Sequence, residues 1–222
     1  MVDVWILEET VRIDVIADTV CPWCFIGKRR LEHALTLRPH IMPNITWRAF
    51  LLNPEIPSEG LNRSIYLVKK FGSESRVRRI YGAIADAGLS VEIDFAFERI
   101  DKTPNSVDSH RLIRRAQKQG CGEKVVEDLY RAFFLEGQDI GDKSLLTNIG
   151  AGHGLDRSAL ENYLKTDEDV SDIYDENTSA HRLGVNGVPA FVFNNNWVIS
   201  GAQEPQVIAR MLDAASTAES AA

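Results

Sequence analysis

Asp18-Thr19-Val20-Cys21-Pro22-Trp23-Cys24-Phe25-Ile26-Gly27-Lys28 is the stretch on which the fold turns. Before it, Val11, Ile13, Val15 and Ala17 alternate with Arg12, Asp14, Ile16 and Asp18, the period of two that marks a strand. After it, Cys24, Leu31 and Leu35 recur at helical spacing, with Phe25 and Ala34 beside them. Lys28, Arg29, Arg30 and Glu32 take the wet face. The two cysteines therefore stand where a strand ends and a helix opens. The first amides of a helix have no partner within it, and the helix dipole adds partial positive charge there. A thiolate at such a spot is stabilised, so thiols there ionise closer to neutral pH than the ~8.5 of a free cysteine. Pro22 suits the first turn, where its missing N–H is not needed and its φ is already set. The spacing puts both sulfurs at one exposed helix end, Cys21 the more exposed, able to close a disulfide or open to a dithiol.

A Cys-x-x-Cys pair is also half of a zinc site. Zinc requires further Cys or His ligands at short spacing, usually a second pair. The chain has one other cysteine, Cys121, and five scattered histidines, so the residues favour redox chemistry and no metal. Cys121 follows Gly120 at a helix end and reads as a small, half-buried apolar residue; a regulatory thiol is the sharper alternative.

Composition narrows the class further. The 222 residues are 44% apolar and 26% charged, ordinary for a water-soluble globular chain with one sizeable core. A net charge of −7 argues against a nucleic-acid partner, which would meet a basic face. No run reaches the apolar length of a membrane span. Met1–Thr10 carries Asp3, Glu8 and Glu9 and no basic residue, so it does not read as a signal peptide. Three cysteines imply no disulfide framework. A reducing, cytoplasmic setting is expected, where such a pair is catalytic rather than structural.

Along the chain, Pro39 and Pro43 stop the first helix, and Ile45, Trp47, Ala49 and Leu51 alternate as a second strand. Strand, helix, strand implies a right-handed crossover and a parallel pair. Asn53–Gly60 is a loop with two prolines and a glycine. Residues 61–183 are mostly helical in pattern. Short apolar faces run through Ile65–Phe71 and Val77–Ile84, the second stopped near Gly88, and Val91–Phe97 reads as a strand or an extended connector. Helices follow over 106–119, 123–136, 144–151, 158–166 and 169–183. Strand character returns at Val188–Phe193. Asn194–Asn196 forms a hairpin turn, and Trp197–Ser200 is the return strand. Pro205 opens a last helix, and the small, polar Ser216–Ala222 reads as a fraying tail. The whole reads as α/β, β-α-β then a helical insertion then β-β-α. Residues 11–58 and 184–218 form one discontinuous domain, and 59–183 is the insertion.

With Cys21-Pro22-Trp23-Cys24 at the first strand–helix junction and Gly187-Val188-Pro189 opening a late strand, the chain resembles the thioredoxin fold. The helical insertion makes it similar to the DsbA-like group, and more closely to its FrnE-like branch. That branch is related to 2-hydroxychromene-2-carboxylate isomerases and kappa-class glutathione transferases. The strings that carry the resemblance span nearly the whole chain: Asp18–Arg29, Phe50–Pro54, Asn105 with His110-Arg111-Leu112, Gly184–Phe191 and Ile199–Gln203.

The resemblance implies a thioredoxin-like fold interrupted by a helical insertion, and a protein disulfide oxidoreductase. Cys21 is the nucleophile and Cys24 the resolving thiol. Pro22, Trp23, Val188, Pro189, Asn53, Asn105 and His110 would contact substrate. Pro189 would be cis and face the cysteines, offering the Val188 backbone edge to an extended peptide or glutathione. The residues alone favour a plain strand start there, since only ~5–6% of X–Pro bonds are cis. Asn53 equally suits a turn before Pro54, Asn105 a helix cap, and His110 a packing role. No tightly bound cofactor is expected, and glutathione stays open as a co-substrate; the partner is a protein or glutathione thiol or disulfide, the chain a monomer or homodimer. DsbA carries histidine where Trp23 stands, so a milder redox partner is expected. Two other functions remain open. One is a glutathione-dependent isomerase or transferase, against which both cysteines and Gly201-Ala202-Gln203 count, since those relatives tend to carry serine and an Asp-Arg pair there. The other is a redox-inert interaction scaffold.

Overall fold

The computed structural model describes residues 9–219. Strand β1 (Glu9–Ala17) leads through the cysteine turn into helix α1 (Pro22–Thr36), and the chain returns as β2 (Ile41–Ala49). The pair β1–β2 is parallel, with Val15 opposite Trp47 and Ala17 opposite Ala49. Late in the chain, β5 (Ala190–Phe193) lies antiparallel against the other side of β1, and β6 (Trp197–Ser200) closes a hairpin on it. The sheet order is β2-β1-β5-β6, so the two ends of the sequence complete one sheet. The hairpin turn uses Asn194 and Asn195 at φ 46° and 60°, the left-handed region that asparagine tolerates. Helix α9 (Pro205–Glu219) packs along α1 and β1.

Between β2 and β5 lie β3 (Leu61–Asn62), α2 (Arg63–Phe71), α3 (Glu74–Leu89), a 3₁₀ turn (Phe97–Arg99) and β4 (Lys102–Thr103). They are followed by α4 (Val107–Gln117), α5 (Gly122–Phe134), α6 (Lys143–Gly152), α7 (Arg157–Leu164) and α8 (Val170–Arg182).

Because β1 is central, both of its faces are covered. Val11, Ile13 and Val15 enter the main core, while Ile16 faces the other way into a smaller cluster with Phe50, Ala180, Val185, Ala190 and Val192. An aromatic stack joins α1 to the helical segment. Phe25 lies on Tyr130 with centroids 5.1 Å apart, and Phe95 on Phe97 at 4.7 Å. Phe134 meets Phe95 edge-on at 5.5 Å. Rings of this size dominate core burial, so the helical segment and the sheet share one apolar interior.

Two local expectations, on Pro43 and on the tail, are corrected, and two others are resolved. Strand β2 begins at Ile41 and contains Pro43, opposite Val11. The residue that was to end a helix is tolerated in a strand because β2 is an edge, where a missing N–H breaks no ladder. Residues 91–97 form no ladder among the described residues. Ile93 and Phe95 are buried while Glu92 and Asp94 stay outside, so the alternation belongs to a connector braced by Ala96 N–H to Phe134 C=O at 2.9 Å. Gly88 lies in the last turn of α3, which ends at Leu89, close to where the pattern stops it. The helix uses its missing side chain for close approach, since a Cβ there would meet the Phe95 ring at 2.5 Å. Finally, α9 carries through Ser216, which is 5% exposed, and ends at Glu219; the rest of the expected fraying tail, 220–222, lies outside the described residues. So does most of Met1–Thr10, the segment read as no signal peptide. No helix among the described residues is long and apolar enough to cross a membrane.

Candidate active site

Asp18 builds the turn that carries the cysteines. Its Oδ1 accepts from Val20 N at 3.3 Å and its Oδ2 from Leu52 N at 2.8 Å, tying the end of β1 to the loop after β2. Its carbonyl accepts from Cys21 N at 3.1 Å. Cys21 is the residue that precedes α1, extended at φ −97° and ψ 112°, and Pro22 fills the first turn. No side chain caps this helix end. The Cys24 amide donates to the Cys21 carbonyl at 3.0 Å, and the two thiols are near enough for Cys21 to raise that of Cys24, with no disulfide between them.

The expected exposed helix end is not what forms. Cys21 is 4% exposed and Cys24 1%; Cys21 is the more accessible only by that margin, while Trp23 between them projects at 38%. The covering segment comes from 167 residues away: the Cys21 thiol donates to the Val188 carbonyl at 3.7 Å. The Val188–Pro189 bond is cis, as the resemblance implies. Pro189 seats on α1 one turn beyond Cys24, because Gly27 leaves the space; a Cβ there would lie 2.7 Å from Pro189 Cγ. The Pro189 carbonyl is held by Gly201 N at 2.7 Å, anchoring the loop to the end of β6.

Electrostatics separate the two sulfurs. Burial pushes the Cys24 thiol well above its ordinary range, the adjacent Cys21 pushes the same way, and a hydrogen bond from the Asp18 backbone only partly opposes them. Tyr130 on α5 is buried against the pair, and burial together with the charges of Cys24, Cys21 and Asp18 raises its hydroxyl too. Tyr81 on α3 is raised by burial and is close enough to feel Cys21. Its ring carries the buried Arg63 guanidinium at 5.1 Å. Below the site, Lys28, 5% exposed, meets Glu127 at 3.0 Å, and Arg29 binds the same carboxylate. Burial disfavours that charge, but the two cations outweigh it and hold Glu127 below the usual carboxylate range.

The other expected site residues divide. His110 lies beside the cysteine turn, 5% exposed, its Nε2 3.4 Å from Asp18 Oδ1. Asn53 lies in an adjoining groove of about 770 Å³ with Leu52, Ile56, Leu61, Ile65 and Tyr66; its Oδ1 accepts from Tyr66 and from Lys70 Nζ, the latter at 2.9 Å. Asn105 braces the start of α4 against the loop after β2. Its Oδ1 accepts from Val107 N at 2.9 Å at the start of α4, and its Nδ2 donates to Ile56 O at 2.6 Å. Cys121 precedes α5, its thiol on Ala116 O at 3.4 Å. Asp18, Tyr81, Arg63 and Tyr130 were not singled out from sequence. Strand alternation assigned Asp18 to a polar face, and the tyrosines read only as members of apolar stripes.

Comparison with known proteins agrees with this arrangement. A family model described as DSBA-like thioredoxin domain matches residues 12–213. An uncharacterised protein of Bacillus subtilis, YwbO, is 27% identical over 205 residues, covering 91% of this chain and 96% of its own. The crystal structure of a probable DsbA oxidoreductase from Streptomyces coelicolor superposes with a TM-score of 0.84 at 25% identity, over 92% of this chain and 89% of that one. A 2-hydroxychromene-2-carboxylate isomerase structure shares the fold at a TM-score of 0.66 and 16% identity, over 92% and 93%. The cytosolic disulfide reductase DsbM of Pseudomonas aeruginosa, solved with GSH, does so at 0.61 and 16%, over 91% and 98%. With the family model matched over residues 12–213, nearly its whole length, the chain belongs to the DSBA-like thioredoxin domain family.

Proposed function

We propose that this protein is a thiol–disulfide oxidoreductase that exchanges a disulfide between Cys21–Cys24 and a protein or glutathione partner. One observation carries the reading: Cys21 stands at the start of α1 with the Val188 carbonyl 3.7 Å from its thiol, and Cys24 follows in the first turn of the same helix. Cys21 attacks a substrate disulfide as the thiolate. One substrate sulfur leaves with the electron pair of the broken bond, and a mixed disulfide with Cys21 remains. Cys24 then attacks Cys21 and the second substrate sulfur departs. The substrate gains two electrons and the protein closes its own disulfide; oxidation of a substrate dithiol runs the same steps backward. Val188 and Pro189 offer main chain beside Cys21 along which an extended substrate would lie. Pro22 and the exposed Trp23 form the near edge. The Asn53 groove, with Lys69 and Lys70 at its rim, would take the chain flanking the disulfide. Cytoplasmic work against reduced partners fits the same reading.

Cys24→Ser is the test. Incubated with oxidised glutathione and, separately, with a disulfide-containing protein, it should accumulate a covalent adduct on Cys21, while the unaltered chain releases product and Cys21→Ser forms none. An adduct with glutathione alone would narrow the partner class. Absence of any adduct on Cys21 would refute the reading.

A further inference from the structure

The four-stranded sheet has two edges, β2 and β6, and the fold treats them differently. An edge strand presents main-chain amides and carbonyls that no further strand takes up. On the β2 side, helices of the insertion occupy them. Gln117 of α4 accepts from Trp47 N at 2.6 Å and donates to Trp47 O at 3.1 Å. Glu176 of α8 accepts from Ala49 N and Asn177 from Leu51 N, both at 2.8 Å. Pro43 has no N–H to offer.

The β6 edge has no such cover among the described residues. Gly201 N donates to Pro189 O, so alternate residues of β6 bond inward, and Val198 and Ser200 turn their main-chain groups outward. Of these, the Ser200 carbonyl alone has a partner, the Gln203 side-chain amide at 2.8 Å. Side chains do not guard the edge either. Trp197 and Val198 stand exposed, and so does Leu183, which lines with Val198 and Asn195 a groove of about 430 Å³. From Leu183 to Gln203 there is no charged residue, in a chain that is 26% charged. The charges that other elements bring to the groove are paired, Arg48 with Asp14 at 3.4 Å and Glu176 with Arg114 at 2.8 Å. Edge strands that stay unpaired usually carry lysine or proline, and Trp197-Val198-Ile199-Ser200 carries neither.

We propose that β6 pairs with β6 of a second copy of this chain, antiparallel about a twofold axis, so that two four-stranded sheets join into one. An antiparallel edge is complementary to itself: the Val198 amide of each copy donates to the Val198 carbonyl of the other. Trp197 then lies opposite Ile199 and Asn196 opposite Ser200, so every facing pair is uncharged. The net charge of −7 holds copies apart elsewhere, and this stretch lets two of them approach without like charges meeting. A twofold contact uses the same patch on both subunits, which sets the two Leu183 side chains and the two grooves on one face of the joined sheet. Gly201, next to the pairing residues, holds the Pro189 carbonyl, so the contact braces the strand that anchors the loop beside Cys21.

Sedimentation equilibrium of the full chain over a concentration series is the test. The unaltered chain should move from 24.8 kDa toward twice that mass as concentration rises, and its Val198 and Ser200 amides should exchange more slowly in the concentrated sample. Val198→Lys sets like charges opposite each other and should weaken association by about a hundredfold or more. Val198→Pro removes the outward N–H while the ladder to β5 keeps its bonds, and should weaken association in the same way. Met42→Lys, an exposed position on the β2 edge, is the control and should leave association unchanged. A mass of 24.8 kDa at every concentration would overturn the inference, and that measurement needs no variant to fold. A dimer that survives both Val198 variants, or that Met42→Lys alone dissociates, would overturn it as well. So would a monomer whose Val198 amide gains protection only when a disulfide-containing peptide is added, which would give the edge to substrate. The exchange chemistry is read separately, on Cys21, so its failure would leave the dimer standing and the reverse.

Discussion

Gly27→Ala probes the seating of the Val188–Pro189 loop on α1. A Cβ at Gly27 would lie 2.7 Å from Pro189 Cγ and 3.3 Å from both Pro189 Cβ and Phe191 Cζ. Carbon atoms rest at about 3.5–4.0 Å, so Pro189 must retreat by about 1 Å. Little can give way. The proline ring has no rotamer to turn aside, its carbonyl is tied to Gly201 N, and Phe191 is fully buried in β5. Overpacking of this kind destabilises by about 1–3 kcal/mol, while alanine in place of a helical glycine contributes about 1 kcal/mol the other way. Gly27→Ala should therefore be about 0–2 kcal/mol less stable than the unaltered chain. Gly82, inside α3, supplies the control, since a Cβ there meets nothing within 4 Å. Gly82→Ala should gain about 0.5–1 kcal/mol. The gap between the two variants isolates the clash from helix propensity. Function should follow the same displacement. The Val188 carbonyl, 3.7 Å from Cys21 Sγ, moves with Pro189. A misplacement of about 1 Å at a reacting centre lowers rates by up to about 10²-fold, and about tenfold is expected in the attack of Cys21 on the aromatic disulfide DTNB, followed by the coloured thiolate it releases. Urea unfolding of both reduced variants gives the first quantity and stopped-flow absorbance the second. Equal stability and equal rates in Gly27→Ala and Gly82→Ala would refute the reasoning.

Three further outcomes follow from the same geometry. The reduced protein should lose stability in base. The Cys24 thiol is raised in the folded state, so its contribution is intact below the unfolded thiol range of about 8.5 and falls above it, by up to about 1.4 kcal/mol per pH unit; urea midpoints between neutral pH and pH ~10 should show a shallower fall in Cys24→Ala. Glu127→Gln leaves Lys28, 5% exposed, facing only Glu32. It should destabilise by about 2–3 kcal/mol, below the range for a fully buried orphaned charge because Glu32 remains, and an unchanged denaturation midpoint would contradict the ion-pair account. Asn105→Ala removes the bond to Val107 N and the brace to Ile56 O. A loss of about 0.5–2 kcal/mol is expected, with faster amide exchange at Val107 as the specific sign.

The strand over 11–18, the helix after the cysteines, the asparagine turn and the final helix are legible because each depends on spacing along a few residues. Pro43 misleads for the opposite reason: whether a proline fits a strand depends on the strand being an edge, which the distant β5–β6 hairpin decides by pairing with the other side of β1. Asp18 misleads likewise. Alternation assigns it to a polar face, yet it is 0% exposed because Leu52 and His110 close over it. Asn53 and Asn105 look alike as polar loop residues, and only the packing of α2 on the 52–56 loop separates a groove wall from a brace.

By itself the sequence determined that two cysteines share the start of one helix, since a period-two strand, a Cys-Pro-Trp-Cys turn and a period-3.6 helix are all local facts. It did not determine that both sulfurs are buried, nor that their surroundings hold Asp18, His110, Tyr130 and the Val188 carbonyl. Those follow from tertiary packing, because burial and electric field at a sulfur are summed over atoms that the chain brings together from remote positions, and no local pattern records that sum.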